Sequence, residues 1–234
     1  GFYAAWHGPA GLGRIADRVH LIAEAFAAGV KKLGHTVLAE VFFDTVHVQV
    51  TGGAARLAEV RKAAEARRIN LRYAADGSVS VSMGETATAG DLADLLAVFN
   101  GGAAAAFTGE SLLTGTSGRF DEKFTRKSTF LTHPVFNTYH SETEMMRYMR
   151  KLESRDLSLT HSMIPLGSCT MKLNAAAEML PVTWPEVGGL HPFAPPAQAK
   201  GYRAMFDKLE SALAEITGFT AVSLQPNAGS QGEY

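Results

Sequence analysis

Leu12, Ile15, Val19, Ile22, Phe26, Val30 and Leu33 recur in steps of three and four between Gly11 and Gly34. That spacing puts all of them on one face of a long amphipathic helix. Gly34 supplies the stop. His20 and His35 fall in this stretch without metal-ligand spacing, and they read as solvated or capping residues rather than ligands. Thr36 to Val50 is rich in Val and Phe, with Val46, Val48 and Val50 alternating, so it reads as one or two strands broken near Asp44, His47 facing outward. After the turn Thr51-Gly52-Gly53, the segment Ala54 to Arg68 carries Leu57, Val60 and Ala64 at helical spacing. Arg67 and Arg68 sit at its negative end. Ile69 to Tyr73 and Val79 to Met83 flank Asp76-Gly77, a hairpin signal, and Asp91 to Phe99 reads as a helix. The order helix, strand, helix, strand, strand, helix describes a small α+β domain over residues 1–100.

From Asn100 to Phe120 the composition shifts to Gly, Ala, Ser and Thr with little periodicity, which marks a connecting segment and the best domain boundary. Residues 101–159 therefore read as linker plus one helix, opened by the capping box Ser141-Glu142-Thr143-Glu144 and carrying Met145, Tyr148, Met149 and Leu152 on one face. His133 and His140 take turn or capping roles before it. Residues 160–234 form a third region. In it Pro165 and Gly167 break an apolar run, Ala175 to Leu180 makes a short helix ended by Pro181, and a Pro-rich loop runs to residue 196. Loops of that length in compact domains are usually functional. Tyr202, Met205, Phe206, Leu209, Leu213 and Ile216 then form a helical stripe closed by Gly218, and Phe219 to Leu224 reads as a short strand.

The strand leads into Gln225-Pro226-Asn227-Ala228-Gly229-Ser230-Gln231-Gly232, a small-residue loop opening a helix, where backbone N–H groups point outward and hold a phosphate. On its own this loop suits a phosphate site or an ordinary turn. It has neither a Walker ending nor the spacing of a dinucleotide fingerprint. With 22 basic and 23 acidic residues the chain shows no electrostatic footprint for nucleic acid or an anionic membrane. No apolar run approaches the ~20 residues of a membrane span. The lone Cys169 excludes an internal disulfide framework and a multi-cysteine zinc site, and fits a reducing compartment.

Longer strings carry more. Met163-Ile164-Pro165-Leu166-Gly167-Ser168-Cys169-Thr170-Met171-Lys172-Leu173-Asn174, His191-Pro192-Phe193 and the loop through Tyr234 resemble the glycine cleavage system P-protein family, whose members are pyridoxal-phosphate enzymes. Tyr3-Ala4-Ala5-Trp6-His7-Gly8-Pro9-Ala10-Gly11-Leu12 and Phe42-Phe43-Asp44-Thr45 resemble later parts of the same family's first half. The resemblance implies an α/β chain that is an internal piece of a type I pyridoxal-phosphate-dependent transferase fold. The small α+β domain closes the first half, and residues 160–234 open the second. It also implies a single-chain parent that pairs as a homodimer, cytoplasmic in a bacterium or in the mitochondrial matrix of a eukaryote.

The implied reaction is that of glycine dehydrogenase (aminomethyl-transferring), an oxidoreductase of glycine catabolism. Glycine is decarboxylated as an aldimine of pyridoxal 5'-phosphate, and the aminomethyl group passes to the lipoyl arm of the H-protein. Another type I decarboxylase or aminotransferase, or a cofactor-free structural half, are the alternatives. Ala228, Gly229, Ser230 and Gln231 are expected at the phosphate. His161, Ser168, Cys169, Thr170, Lys172, Asn174 and His191 are expected near the substrate channel. Lys172 matches a segment lining the entrance, whereas the family's Schiff-base Lys is expected beyond Tyr234, so this piece alone is expected to be inactive. Cys169 reads as a packed thiol in preference to a nucleophile or redox switch, because no Cys-His-Asn order surrounds it.

Overall fold

The computed structural model describes residues 1–118, 120, 122–155, 176–226 and 229–234, in two compact units, Gly1–Tyr148 and Met149–Tyr234. Helix α1 spans Phe2–Lys32, beginning well before Gly11. It is broken at Gly8, whose φ of 61° and ψ of −179° leave the helical region, and it resumes at Pro9, a residue suited to a first turn because it has no N–H to satisfy. At the other end Leu33 is the cap and Gly34 turns left-handed at φ 88°, as its sequence position suggests.

Strand β1 (Thr36–Val37) and β2 (Thr45–Gln49) follow, then α2 (Gly53–Ala66), β3 (Arg72–Tyr73), β4 (Ser78–Ser82) and α3 (Ala89–Phe99). The four strands form one antiparallel sheet in the order β1-β2-β4-β3, with Val46 opposite Val81 and Val48 opposite Val79. Period-two alternation sends these valines to one face, where they meet Phe26 and Val30 of α1, Val60 of α2, and Leu92, Leu96 and Phe99 of α3. His47 points to the exposed face, as expected. The Asp76-Gly77 turn closes the β3–β4 hairpin: Gly77 adopts φ 82°, and Asp76 Oδ1 accepts from the Ser78 amide at 2.9 Å and hydroxyl at 2.7 Å.

His35 departs from the solvated reading, since it is 6% exposed. Its Nε2 lies 2.9 Å from the carbonyl of Phe99 and its Nδ1 accepts the Thr51 amide at 3.2 Å. A carbonyl only accepts, so the Nε2–H tautomer is required, and one neutral ring ties the exit of α1 to the end of α3 and the turn after β2. It caps a helix other than its own.

The small-residue stretch after Asn100 is more ordered than its composition suggests. Thr108 Oγ1 accepts the Ser111 amide at 3.1 Å and starts α4 (Gly109–Gly115), whose Leu112 is buried in the core beside α1 and α3. His133 Nδ1 caps a short 3-10 turn by accepting the Val135 amide at 3.1 Å. His140 donates from Nδ1 to the Trp6 carbonyl at 2.7 Å, which anchors this turn to the start of α1. Helix α5 (Glu142–Glu153) opens at Ser141, whose Oγ accepts the Glu144 amide at 3.3 Å and donates to the Glu144 carboxylate at 3.2 Å, which is the side-chain half of the expected capping box.

In the second unit α6 (Ala176–Met179) passes into a 3-10 turn holding Pro181, α7 (Pro185–Gly188) follows, and α8 (Lys200–Thr217) ends at Gly218 with φ 74°. The stripe on α8 forms as expected. The strand expected over residues 219–224 does not: that segment is irregular and Phe219 is 67% exposed. A strand exists by pairing, and no neighbouring strand among the described residues offers it hydrogen bonds. The last element is α9 (Gly229–Glu233).

Candidate functional site

The loop singled out for phosphate binding reaches α9 as the sequence suggests, with Gly229, Ser230 and Gln231 in the first turn. The amides of a helix's first turn point out of its N-terminal end, and the Ser230 hydroxyl adds a neutral donor beside them. This donor set fits the phosphate end of pyridoxal phosphate. It contains neither an acidic group for a pyridine nitrogen nor an amine, so by itself it fits no other part of that cofactor. All three residues are exposed, and Ala228 lies outside the described residues.

His191 is described and is exposed, its Nδ1 accepting the Phe193 amide at 3.0 Å in a local turn. His161, Ser168, Cys169, Thr170, Lys172 and Asn174 lie outside the described residues. Four of the expected residues, Gly229, Ser230, Gln231 and His191, are thus described, and His191 has a turn contact of its own.

The first unit holds a feature that spacing alone did not reveal. His20 is 3% exposed, where the sequence reading had it solvated or capping. Its Nδ1 donates to the Phe43 carbonyl at 2.8 Å, its ring stacks on Phe120 at 3.8 Å between centroids, and Nε2 lies 3.4 Å from Glu24 Oε1. Beside it opens a cleft of about 660 Å³, lined among others by Glu24, Lys31, Glu40, Phe42 and Lys123. The legible signal was the four-residue step from His20 to Glu24, which places both on one helical face. Two smaller clefts flank the same unit. One, of about 380 Å³, runs between Arg67, Asp94 and Phe107, and the other, of about 260 Å³, between His7, Arg14, Arg18 and Glu85. In the latter, the Glu85 carboxylate accepts from the Tyr3 hydroxyl and pushes the phenol's pKa up.

No helix among the described residues is long and apolar enough to cross a membrane. Residues 1–99 match the family model of the glycine cleavage system P-protein. The chain is 52% identical, over 99% of its length, to a glycine dehydrogenase (decarboxylating) of Nostoc punctiforme. It is 51% identical, again over 99% of its length, to the protein of the same name from a further Nostoc species. In each case it spans 24% of the relative's own length.

Proposed function

We propose that this chain, a member of the glycine cleavage system P-protein family, supplies part of an enzyme that decarboxylates glycine and passes the aminomethyl group to the lipoyl disulfide of the H-protein. The observation that carries the reading is identity above 50% sustained over 99% of the chain, across both units, to relatives named for that activity. The fold contributes a mixed helix and sheet unit over the matched residues, of the kind expected for the small domain of a type I fold.

Pyridoxal phosphate, when bound, supplies the electron sink that takes up the pair left behind as carbon dioxide departs. The residues here do the holding. Gly229 and Gln231 through their amides and Ser230 through its hydroxyl would meet the phosphate with Ala228. The channel set His161, Ser168, Cys169, Thr170, Lys172, Asn174 and His191 would face glycine and the lipoyl arm. As a cation, Lys172 would attract a carboxylate. The parent is read as a homodimer in a cytoplasmic setting.

The reaction is reversible at the carboxyl carbon, which makes it directly testable. The parent polypeptide with H-protein is expected to exchange the carboxyl of glycine with labelled bicarbonate. Ser230→Ala is expected to weaken cofactor retention in equilibrium dialysis by roughly 1.5–3 kcal/mol, the range for a hydrogen bond to a charged group. Absence of exchange in the cofactor-loaded parent would remove the activity; unchanged retention would remove Ser230 from the phosphate site.

A further inference from the structure

The pair His20 and Glu24 is bound to two separate stretches of chain that border the 660 Å³ cleft. On one side the loop between β1 and β2 is held by the bond from His20 Nδ1–H to the Phe43 carbonyl, at 2.8 Å. On the other, the chain leaving α4 is held by the Gly118 amide, which donates to Glu24 Oε2 at 2.9 Å, and by the Phe120 ring lying on the imidazole at 3.8 Å and 16°. Phe43 and Phe120 also meet each other, at 5.6 Å. Gly118 itself is shaped for this approach. It adopts φ 62°, and a Cβ there would come within 3.2 Å of Leu21 on α1.

The hydrogen-bond inventory of the ring has one gap. A carbonyl accepts only, so the proton on Nδ1 is committed to Phe43. In a neutral ring Nε2 then carries a lone pair. It is buried, has no hydrogen-bond partner among the described residues, and faces a carboxylate oxygen 3.4 Å away, so two acceptors oppose each other. With a second proton, the same nitrogen is a donor and the same carboxylate its counter-ion. An imidazolium also gains from lying flat against Phe120, an attraction of the cation–π kind. The other charged groups at the cleft are Lys31 of α1, Glu40 of the β1–β2 loop and Lys123 of the 3-10 turn at Glu122–Phe124. Two of each sign, counting Glu24, leave the pair without a large net field.

We propose that His20 and Glu24 form a proton-dependent latch, closed when both His20 nitrogens carry protons and Glu24 is ionised, which holds Gly118, Phe120 and the Phe43 loop against α1. Loss of the Nε2 proton leaves two acceptors facing each other and frees Gly118 and Phe120. The contact between Nε2–H and Glu24 exists only while that proton is present, so the latch is closed with it and open without it.

The experiment is hydrogen exchange read by mass spectrometry on the full-length parent polypeptide, between about pH 5 and pH 8, where histidines titrate. After correction for the intrinsic pH dependence of exchange, peptides covering 116–124 are expected to lose at least about tenfold in protection toward the alkaline end, while peptides of β2 and β4 stay level. Glu24→Gln is expected to flatten that dependence. Uniform protection across the range in the unmodified protein, or a pH dependence unchanged in Glu24→Gln, would overturn the latch. Should the variant fold poorly, selectively labelled histidine nitrogen spectra of the unmodified parent decide. Two protonated nitrogens on His20 while 116–124 is protected support the latch, and a neutral ring under the same protection sinks it.

Discussion

Thr88 and Asp91 show how much one local exchange of hydrogen bonds can do. Thr88 Oγ1 accepts the Asp91 amide at 3.2 Å and donates to the Asp91 carboxylate at 2.6 Å, and that carboxylate accepts the Thr88 amide at 2.8 Å. The two residues close a capping box at the start of α3. The Thr88 hydroxyl and amide hold the Asp91 carboxyl below the usual carboxylate range. Its contribution is therefore fully present above an ordinary Asp value, about 3.9, and is lost as pH falls below it. Thr88→Ala is expected to cost about 0.5–2 kcal/mol of α3 stability, seen as roughly two- to thirtyfold faster amide exchange through Leu92–Leu96 at neutral pH. The difference between variant and parent should shrink as pH falls and Asp91 protonates; exchange unaltered by the substitution would show that the packing of α3, not its cap, holds the first turn. The sequence reading started this helix at Asp91 and did not name Thr88 as its cap. The burial of His20 and His35 was not legible either, because the carbonyls that satisfy them belong to Phe43 and Phe99, 23 and 64 residues away.

At the scale of elements, α1 is the member on which the first unit is built, and the place where it passes α3 and α4 is tight. A Cβ on Gly29 would lie 2.3 Å from Leu96 Cδ2 and 3.0 Å from Leu112 Cδ1, both on buried side chains. Gly29→Ala is thus expected to destabilise by about 1–3 kcal/mol, as overpacking does. Gly13, on the same helix, has nothing within 4 Å of its Cβ position, so Gly13→Ala should be neutral or stabilising by up to about 1 kcal/mol. Thermal melting of the two variants beside the parent measures this, and equal Tm values for both would contradict the close crossing. The period of the apolar residues made α1, α3, α8 and the β3–β4 hairpin legible. It missed the start of α1, because Gly8 and Pro9 signal a stop whereas here they kink a helix that docks on Phe136 and His140. It missed α4 because Ala, Gly and Ser dilute periodicity, although Thr108 and Leu112 carry the cap and the anchor.

For the whole molecule, the long motif strings were what carried the family resemblance, and the identity to the relatives extends over 99% of the chain. What spacing could not supply was assembly. The apolar run 219–224 has strand composition, yet a strand needs partners contributed by other segments. The relatives are four times as long as this chain, whose share of each is 24%. Apolar residues stand exposed on α8, Met205 at 51% and Ile216 at 79%. Mass spectrometry of the H-protein follows the fate of glycine itself. The parent polypeptide, loaded with pyridoxal phosphate and given carboxyl-labelled glycine and oxidised lipoyl H-protein, is expected to release one labelled carbon dioxide for each H-protein modified. Each lipoyl arm should gain an aminomethyl group on one sulfur and a hydrogen on the other, with no change in H-protein whose lipoyl arm is already reduced. Release of carbon dioxide without that mass gain, or amino transfer from glycine with its carboxyl retained, would contradict the account.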